Sequence, residues 1–327
     1  MGEFELLAKL RERLPPVGSR VRLGSGDDAA VSVPGGATAT SVDAIVDGVH
    51  FRRAEAPLRL IGRKALATAL SDLAAMGAEA GEAYVVLGAP PDLAEEEFDA
   101  LLDGLLALAA ETGTTLAGGD LTRAPALTLA VTVVGHASRA DELVPRSGAE
   151  PGDVLVVTGE LGGAAAGRLL LDRPELGSAV PAATAERPRA RQLDPTPRLR
   201  SGQVLAEAGA HAMIDLSDGL AGDALHVARA SGVALRFETG SLPLEKGVAE
   251  VAAAAGCDPL QLAVSGGEDY ELLAALPPDR LTTASRRIAE MAETTLTEIG
   301  QVTEGEGVEL RLPGGGLLAT GGYDHFA

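Results

Sequence analysis

The stretch PLRLIGRKALATALSDLAAM, residues 57–76, carries Leu60, Ile61, Ala65, Leu66, Ala69, Leu70 and Leu73 on one side of a 3.6-residue period. That period predicts an amphipathic helix. Upstream, turn signals at residues 24–28 and 34–36 separate the short apolar runs 29–33 and 37–42, which is strand–turn–strand chemistry. Downstream, residues 84–87 read as a strand and 93–112 as a helix, with Asp92 as its N-cap and Glu95 and Glu96 in the first turn. Residues 127–134 are apolar, β-branched and strand-like. The polar segment 137–152, with Pro145, Gly148, Pro151 and Gly152, marks a boundary.

Beyond the boundary the alternation resumes. Strands are expected at 154–158, 213–214, 234–237 and 271–275, and helices after Gly163, at 220–230, near 246–255 and around 279–292. The proline-rich segment 173–197 is expected to form a surface loop, and the chain closes in a turn-rich tail. Mixed strands and helices in both halves predict a mixed α/β (α+β) chain of two domains, residues 1–137 and 138–327. A length of 327 residues agrees with two cores rather than one.

The chain has 27 basic and 47 acidic residues, a formal charge of −20. Such a surface repels nucleic acid and anionic membranes, so neither is an expected partner. Cys257 is the only cysteine, which excludes an intrachain disulfide and a cysteine-ligated metal site. Residues 1–14 read as a short amphipathic helix without the apolar run of a signal peptide, and no stretch of about 18 apolar residues occurs. A cytoplasmic protein is expected.

The chemistry is concentrated in Asp residues set beside Gly or Ser. They stand in Gly26-Asp27-Asp28, Ser41-Val42-Asp43, Asp47-Gly48-Val49-His50, Ser71-Asp72, Gly118-Gly119-Asp120 and Asp215-Leu216-Ser217-Asp218-Gly219, followed by Ser265-Gly266-Gly267-Glu268-Asp269-Tyr270. One Asp in a turn usually binds nearby backbone N–H groups. Their recurrence points instead to hard oxygen ligands for Mg²⁺, with Gly admitting a phosphate close to the backbone. Carboxylates around a polyphosphate require divalent cations between them.

Gly24-Ser25-Gly26-Asp27-Asp28-Ala29 fits a dinucleotide fingerprint in spelling but is followed by a strand-like segment, not a helix. The P-loop pattern is absent, and Lys occurs only at 9, 64 and 246. Any ATP site is therefore of another kind. The five His residues show no metal-binding spacing; His50, inside an Asp-rich segment, is the one singled out.

In order and spacing these motifs resemble the thiamine-monophosphate kinase family, within the superfamily of aminoimidazole ribonucleotide synthetase. Arg146-Ser147-Gly148-Ala149, the run Ser71-Asp72-Leu73-Ala74-Ala75-Met76-Gly77-Ala78 and the ending Gly322-Tyr323-Asp324-His325-Phe326 carry the same resemblance. It implies a two-domain synthetase-like fold: an N-terminal α/β domain that contributes to a dimer barrel, and a C-terminal α/β domain that closes over the nucleotide. It also implies a homodimer that uses ATP as co-substrate and several Mg²⁺ ions. Asp28, Ser41, Val42, Asp43, Asp72, Asp120, Asp215 and Asp218 would bind Mg²⁺, Val42 only through its carbonyl. Gly119, Asp120, Arg146 and Ser217 would hold ATP, and His50, Glu268 and Tyr323 would face thiamine monophosphate.

The expected reaction needs no catalytic side chain, because the acceptor phosphate has a second pKa near ~6 and is already deprotonated at neutral pH. What it needs is alignment of two anions for in-line transfer. A different synthetase activity of the superfamily, and a metal- or nucleotide-binding regulator without turnover, are the alternatives.

Overall fold

The computed structural model describes residues 9–10, 12–16, 18–24 and 29–318. Asp28, Tyr323 and the ending 322–326 lie outside the described residues. Two compact units divide the chain: Met1–Leu73 with Ala78–Ala140, and Ala74–Gly77 with Asp141–Ala327.

The first unit begins with a small ladder, β1 (Val21–Leu23) against β2 (Val31–Ser32). Its main sheet has four strands in the order β3-β6-β4-β5: β3 (Ala37–Val46), β4 (Glu79–Ala89), β5 (Thr115–Arg123) and β6 (Thr128–Ala137). Two helices, α1 (Leu58–Ala75) and α2 (Glu95–Thr112), belong with it. Only β4 and β5 pair in parallel, because α2 carries the chain back across the sheet between them. In β6, Leu129, Val131 and Val133 are buried while Thr128, Ala130 and Thr132 are half-exposed. That period of two buries one face of the sheet. The opposite face leaves Val42 65% and Val86 43% exposed.

The buried residues of α2 include Phe98, Leu101, Leu102, Leu105 and Leu108, a helical stripe, and the helix stops at Gly113 in the left-handed region, φ 70°. Its N-cap is Ala94 rather than the expected Asp92; Glu97 closes the first turn by accepting the Ala94 N–H at 2.9 Å. The two helices meet through glycine. A Cβ on Gly104 would lie 1.7 Å from the Arg59 carbonyl oxygen, and one on Gly62 would lie 2.0 Å from that of Leu101.

The second unit is built on a six-stranded sheet, order β12-β9-β11-β7-β10-β8. The strands are β7 (Val154–Thr158), β8 (Ala212–Asp215), β9 (Ala234–Glu238), β10 (Leu272–Leu276), β11 (Leu296–Thr303) and β12 (Gly307–Arg311). Strand β10 is buried along its whole length. Its alternate residues divide between two cores. Leu273 and Ala275 join Leu155, Val157 and Ile214 on one side, whereas Leu272, Ala274 and Leu276 join Val156 and Met213 on the other. A sheet covered on both faces explains why these strands read as continuous apolar runs.

The helices of this unit are α3 (Gly163–Asp172), α4 (Leu176–Ala179), α5 (Ala182–Leu193), α6 (Leu199–Glu207), α7 (Leu220–Ser231), α8 (Val248–Ala255), α9 (Pro259–Ser265) and α10 (Leu281–Met291). Residues 173–197, expected as a loop, therefore contain α4 and α5. Pro188 sits inside α5, and its carbonyl oxygen would be 2.0 Å from a Cβ on Gly167 of α3. Close packing on α3 holds this helix against its own proline. Strands β11 and β12 occupy part of the expected turn-rich tail. Among the described residues no helix is long and apolar enough to cross a membrane.

Candidate active site

In the first unit the site residues come from β3, the loop after it, α1 and β5. Ser41 and Asp43 are two residues apart on a strand, so they share the face of buried Ile45. Ser41 Oγ donates to the carboxylate of Asp72 on α1. Asp43 Oδ1 accepts the N–H of Ala44 at 2.7 Å. Val42 points its side chain to the other face, so a contact in common with its neighbours can come only from its backbone.

After β3 the chain turns sharply through Gly48, φ 84°, whose N–H donates to the Phe51 carbonyl at 2.8 Å. Asp47 Oδ1 accepts the Arg53 N–H at 2.9 Å. His50 Nδ1 accepts the Val46 N–H at 3.1 Å, so the neutral ring carries its proton on Nε2 and can donate from there.

Gly118, Gly119 and Asp120 lie in strand β5, not in a turn. A Cβ on Gly119 would sit 2.0 Å from the Val85 carbonyl oxygen, so the neighbouring strand demands glycine. The register aligns Asp43, Val131, Val85 and Gly119 in one row across the sheet. Three strand spacings separate its ends, about 14 Å. Asp120 belongs to the next row, with Val86, Ala130 and Ala44, and so to the opposite face from Asp43. The structure thus joins Ser41 to Asp72 and keeps Asp120 apart from them. Beside Gly119 and Asp120 is a largely apolar cavity of about 90 Å³ whose walls include Leu87, Leu101, Leu105 and Leu121.

In the second unit Asp215 ends β8 and is buried at 4% exposure. Ser217 and Asp218 form the loop into α7, and Gly219 makes the turn at φ 103°. The Asp218 N–H donates to Asp223 at 3.1 Å. Burial, and then the charge of Asp215, push the Asp223 carboxyl up to about 8. Asp223 escaped the sequence reading, although an acid in the first turn after Asp218-Gly219 was a visible signal.

The Glu268 segment is stitched to this loop. Glu268 N–H donates to the Ser217 carbonyl at 2.8 Å, Tyr270 N–H to that of Leu216 at 2.9 Å, and Leu216 N–H to that of Glu271 at 2.8 Å. Glu268 and Tyr270 both lie in the left-handed region, at φ 67° and 49°. Between them Asp269 turns inward and accepts the N–H groups of Gly162 at 2.7 Å and Ala164 at 3.1 Å. Burial pushes its carboxyl up to about 7, opposed by the charge of Arg191 and by those two N–H groups. Arg146 has an exposed side chain on a loop fixed by Ser231, whose Oγ accepts the N–H groups of Gly148 and Ala149 at 3.1 and 3.2 Å.

All these donors are oxygen, which suits a hard cation such as Mg²⁺. They come as pairs, Ser41 with Asp72 and Asp215 with Asp223. Among the described residues no three His, Cys, Asp or Glu side chains converge as a metal-binding group.

Both halves of the chain match one class of protein: residues 26–137 match AIR synthase related protein, N-terminal domain, and residues 150–313 match its C-terminal domain. The thiamine-monophosphate kinase of Mycobacterium tuberculosis (strain H37Rv) is 40% identical over 283 residues, 84% of this chain and 80% of that one. A crystal structure of thiamine-monophosphate kinase from Stenotrophomonas maltophilia K279a superposes with a TM-score of 0.83 at 36% identity, covering 95% of this chain and 96% of that one. The structure of AaThiL complexed with AMPPCP and TMP superposes at 0.78 with 30% identity, covering 99% and 97%. The chain belongs to the thiamine-monophosphate kinase family, and it is an enzyme of the kinase class.

Proposed function

We propose that this enzyme transfers the γ-phosphoryl group of ATP to thiamine monophosphate, giving ADP and thiamine diphosphate by direct in-line attack. A terminal oxygen of the acceptor phosphate bonds to the γ-phosphorus as the bond to the β-phosphate bridging oxygen breaks. That oxygen is already deprotonated, so no side chain serves as base. Mg²⁺, when bound, neutralises the phosphates so that two anions can approach. Its ligands would come from Asp28, Ser41, the Val42 carbonyl, Asp43, Asp72, Asp215 and Asp218. Asp120 would serve the nucleotide and its metal from the other face of the sheet.

Gly119, Arg146 and Ser217 hold ATP in this reading. His50 donates from Nε2 to the acceptor phosphate. Glu268 meets the cationic ring, with Tyr323 supplying a stacking face. The uncovered sheet face around Val42 and Val86 supports a homodimer, because a second copy would bury its apolar side chains. The enzyme acts in the cytoplasm, where its ATP is made available.

The observation that supports this function is the pairing of the Glu268 N–H with the Ser217 carbonyl at 2.8 Å, which sets the residue proposed to meet the acceptor beside the one proposed to hold the nucleotide. Glu268→Ala tests it. The KM for thiamine monophosphate rises roughly tenfold or more and the KM for ATP stays within about twofold. An unchanged acceptor KM would remove Glu268 from the site.

A further inference from the structure

Helix α5 offers two consecutive side chains to the segment that carries Glu268. Gln192, buried at 2% exposure, donates from Nε2 to Glu268 Oε2 at 2.5 Å. Arg191 donates from Nη2 to the Asp269 carbonyl at 2.9 Å and to Glu271 Oε1 at 2.7 Å. Glu271 has no exposed surface, and Arg198 grips the same carboxylate with bonds of 2.7 and 2.6 Å. Thr158 adds a donor to Glu271 Oε2 at 2.7 Å. A buried carboxylate held by two guanidinium groups fixes geometry strongly, since both of these partners are charged and directional.

The clamp has something to hold. Glu268 and Tyr270 adopt the left-handed backbone that side chains other than Gly disfavour, and such conformations persist only where the surroundings over-determine them. Arg191, Arg198 and Glu271 hold the backbone of the segment, and Gln192 holds the Glu268 side chain itself.

We propose that Gln192 is a positioning residue for acceptor specificity: it locks the Glu268 carboxylate in the orientation that receives the cationic ring. This rests on the reading of Glu268 as an acceptor-binding residue. The identity of the donor matters. A neutral amide engages the carboxylate without cancelling its charge, whereas Arg or Lys at this position would neutralise it and compete with a cationic substrate. The helix that carries Gln192 is braced on α3 through Gly167, so the amide is presented from a rigid element rather than from a mobile loop.

The test is steady-state kinetics of the full-length enzyme with ATP and thiamine monophosphate, on Gln192→Leu, Gln192→His, Glu268→Ala and the Gln192→Leu/Glu268→Ala double variant. Gln192→Leu raises the acceptor KM roughly tenfold and leaves the ATP KM within about twofold. Gln192→His, assayed at about pH 8.5 where the imidazole is a neutral donor, recovers most of that loss. In the Glu268→Ala background Gln192→Leu adds no further change, because the two residues act through one contact. Three outcomes overturn the proposal. If Glu268→Ala raises the acceptor KM but Gln192→Leu does not, the brace alone is wrong. If Glu268→Ala has no effect on the acceptor KM, the reading of Glu268 fails and the brace fails with it. If Gln192→Leu shifts both KM values together with Tm, and His does not rescue it, Gln192 is a packing residue only.

Discussion

Ser41 Oγ donates to the carboxylate of Asp72, a bond that ties strand β3 to helix α1 beside Asp43. It orients Asp72 and leaves its charge in place. Asp72→Asn keeps an oxygen for Ser41 to donate to and removes only the charge. Turnover therefore falls at least about a hundredfold, as expected when a group that stabilises transferring phosphate is neutralised. Urea unfolding of the ligand-free variant changes little. ADP release measured beside the unfolding curve separates the two effects, and near-normal turnover would take Asp72 out of the mechanism.

Arg146 projects from a loop whose backbone is fixed by Ser231, so the guanidinium can be removed without loosening its support. Arg146→Ala raises the KM for ATP by about tenfold, the scale of a lost charge-assisted contact to phosphate, with a smaller change for the acceptor. Stability stays within about 0.5 kcal/mol, as for other exposed substitutions. Initial rates at varied ATP and fixed acceptor, then the reverse, decide it; a selective acceptor effect would mean that Arg146 serves the other substrate.

Asp269 supplies a pH dependence. Its carboxyl lies at about 7 in the folded protein, against 3.8 in the unfolded chain. Between those values the folded state holds a proton that the unfolded state has lost, so stability falls as pH rises through this window and levels off above about 7. Asp269→Asn carries no such proton. Its Tm relative to wild type therefore climbs from pH 5 to pH 8, whatever constant offset the substitution brings. Parallel Tm curves would show that Asp269 is ionised throughout.

The alternation of strands and helices was legible because its periods are strong, as in the Leu60–Leu73 stripe of α1 and the apolar run of β7. Three features were hidden, each for a physical reason. Gly118-Gly119-Asp120 lies outside every strand expected from the sequence, yet glycine is present because Val85 of β4 leaves no room for a Cβ, so the segment is strand β5. Pro188 reads as a helix breaker, yet packing against Gly167 outweighs the lost hydrogen bond. Gln192, the side-chain partner of Glu268, lies 76 residues away, and Arg191 reaches the Asp269 carbonyl across 78, distances over which no local pattern operates. Candidate metal and nucleotide residues were legible as motifs. That Asp120 faces away from Asp43 follows only from strand register, which a motif does not encode.

In the proposed reaction a phosphate, and not a hydroxyl or an amide, accepts the γ-phosphoryl group. The direct measurement offers the purified enzyme ATP and Mg²⁺ with one of four acceptors: thiamine, thiamine monophosphate, formylglycinamidine ribonucleotide or selenide. Product mass scores each reaction. Thiamine diphosphate and ADP should form from thiamine monophosphate alone, because free thiamine brings no deprotonated oxygen and the proposed transfer uses no side chain as base. Turnover of formylglycinamidine ribonucleotide with none of thiamine monophosphate would contradict phosphate as the acceptor and assign the site to amide activation.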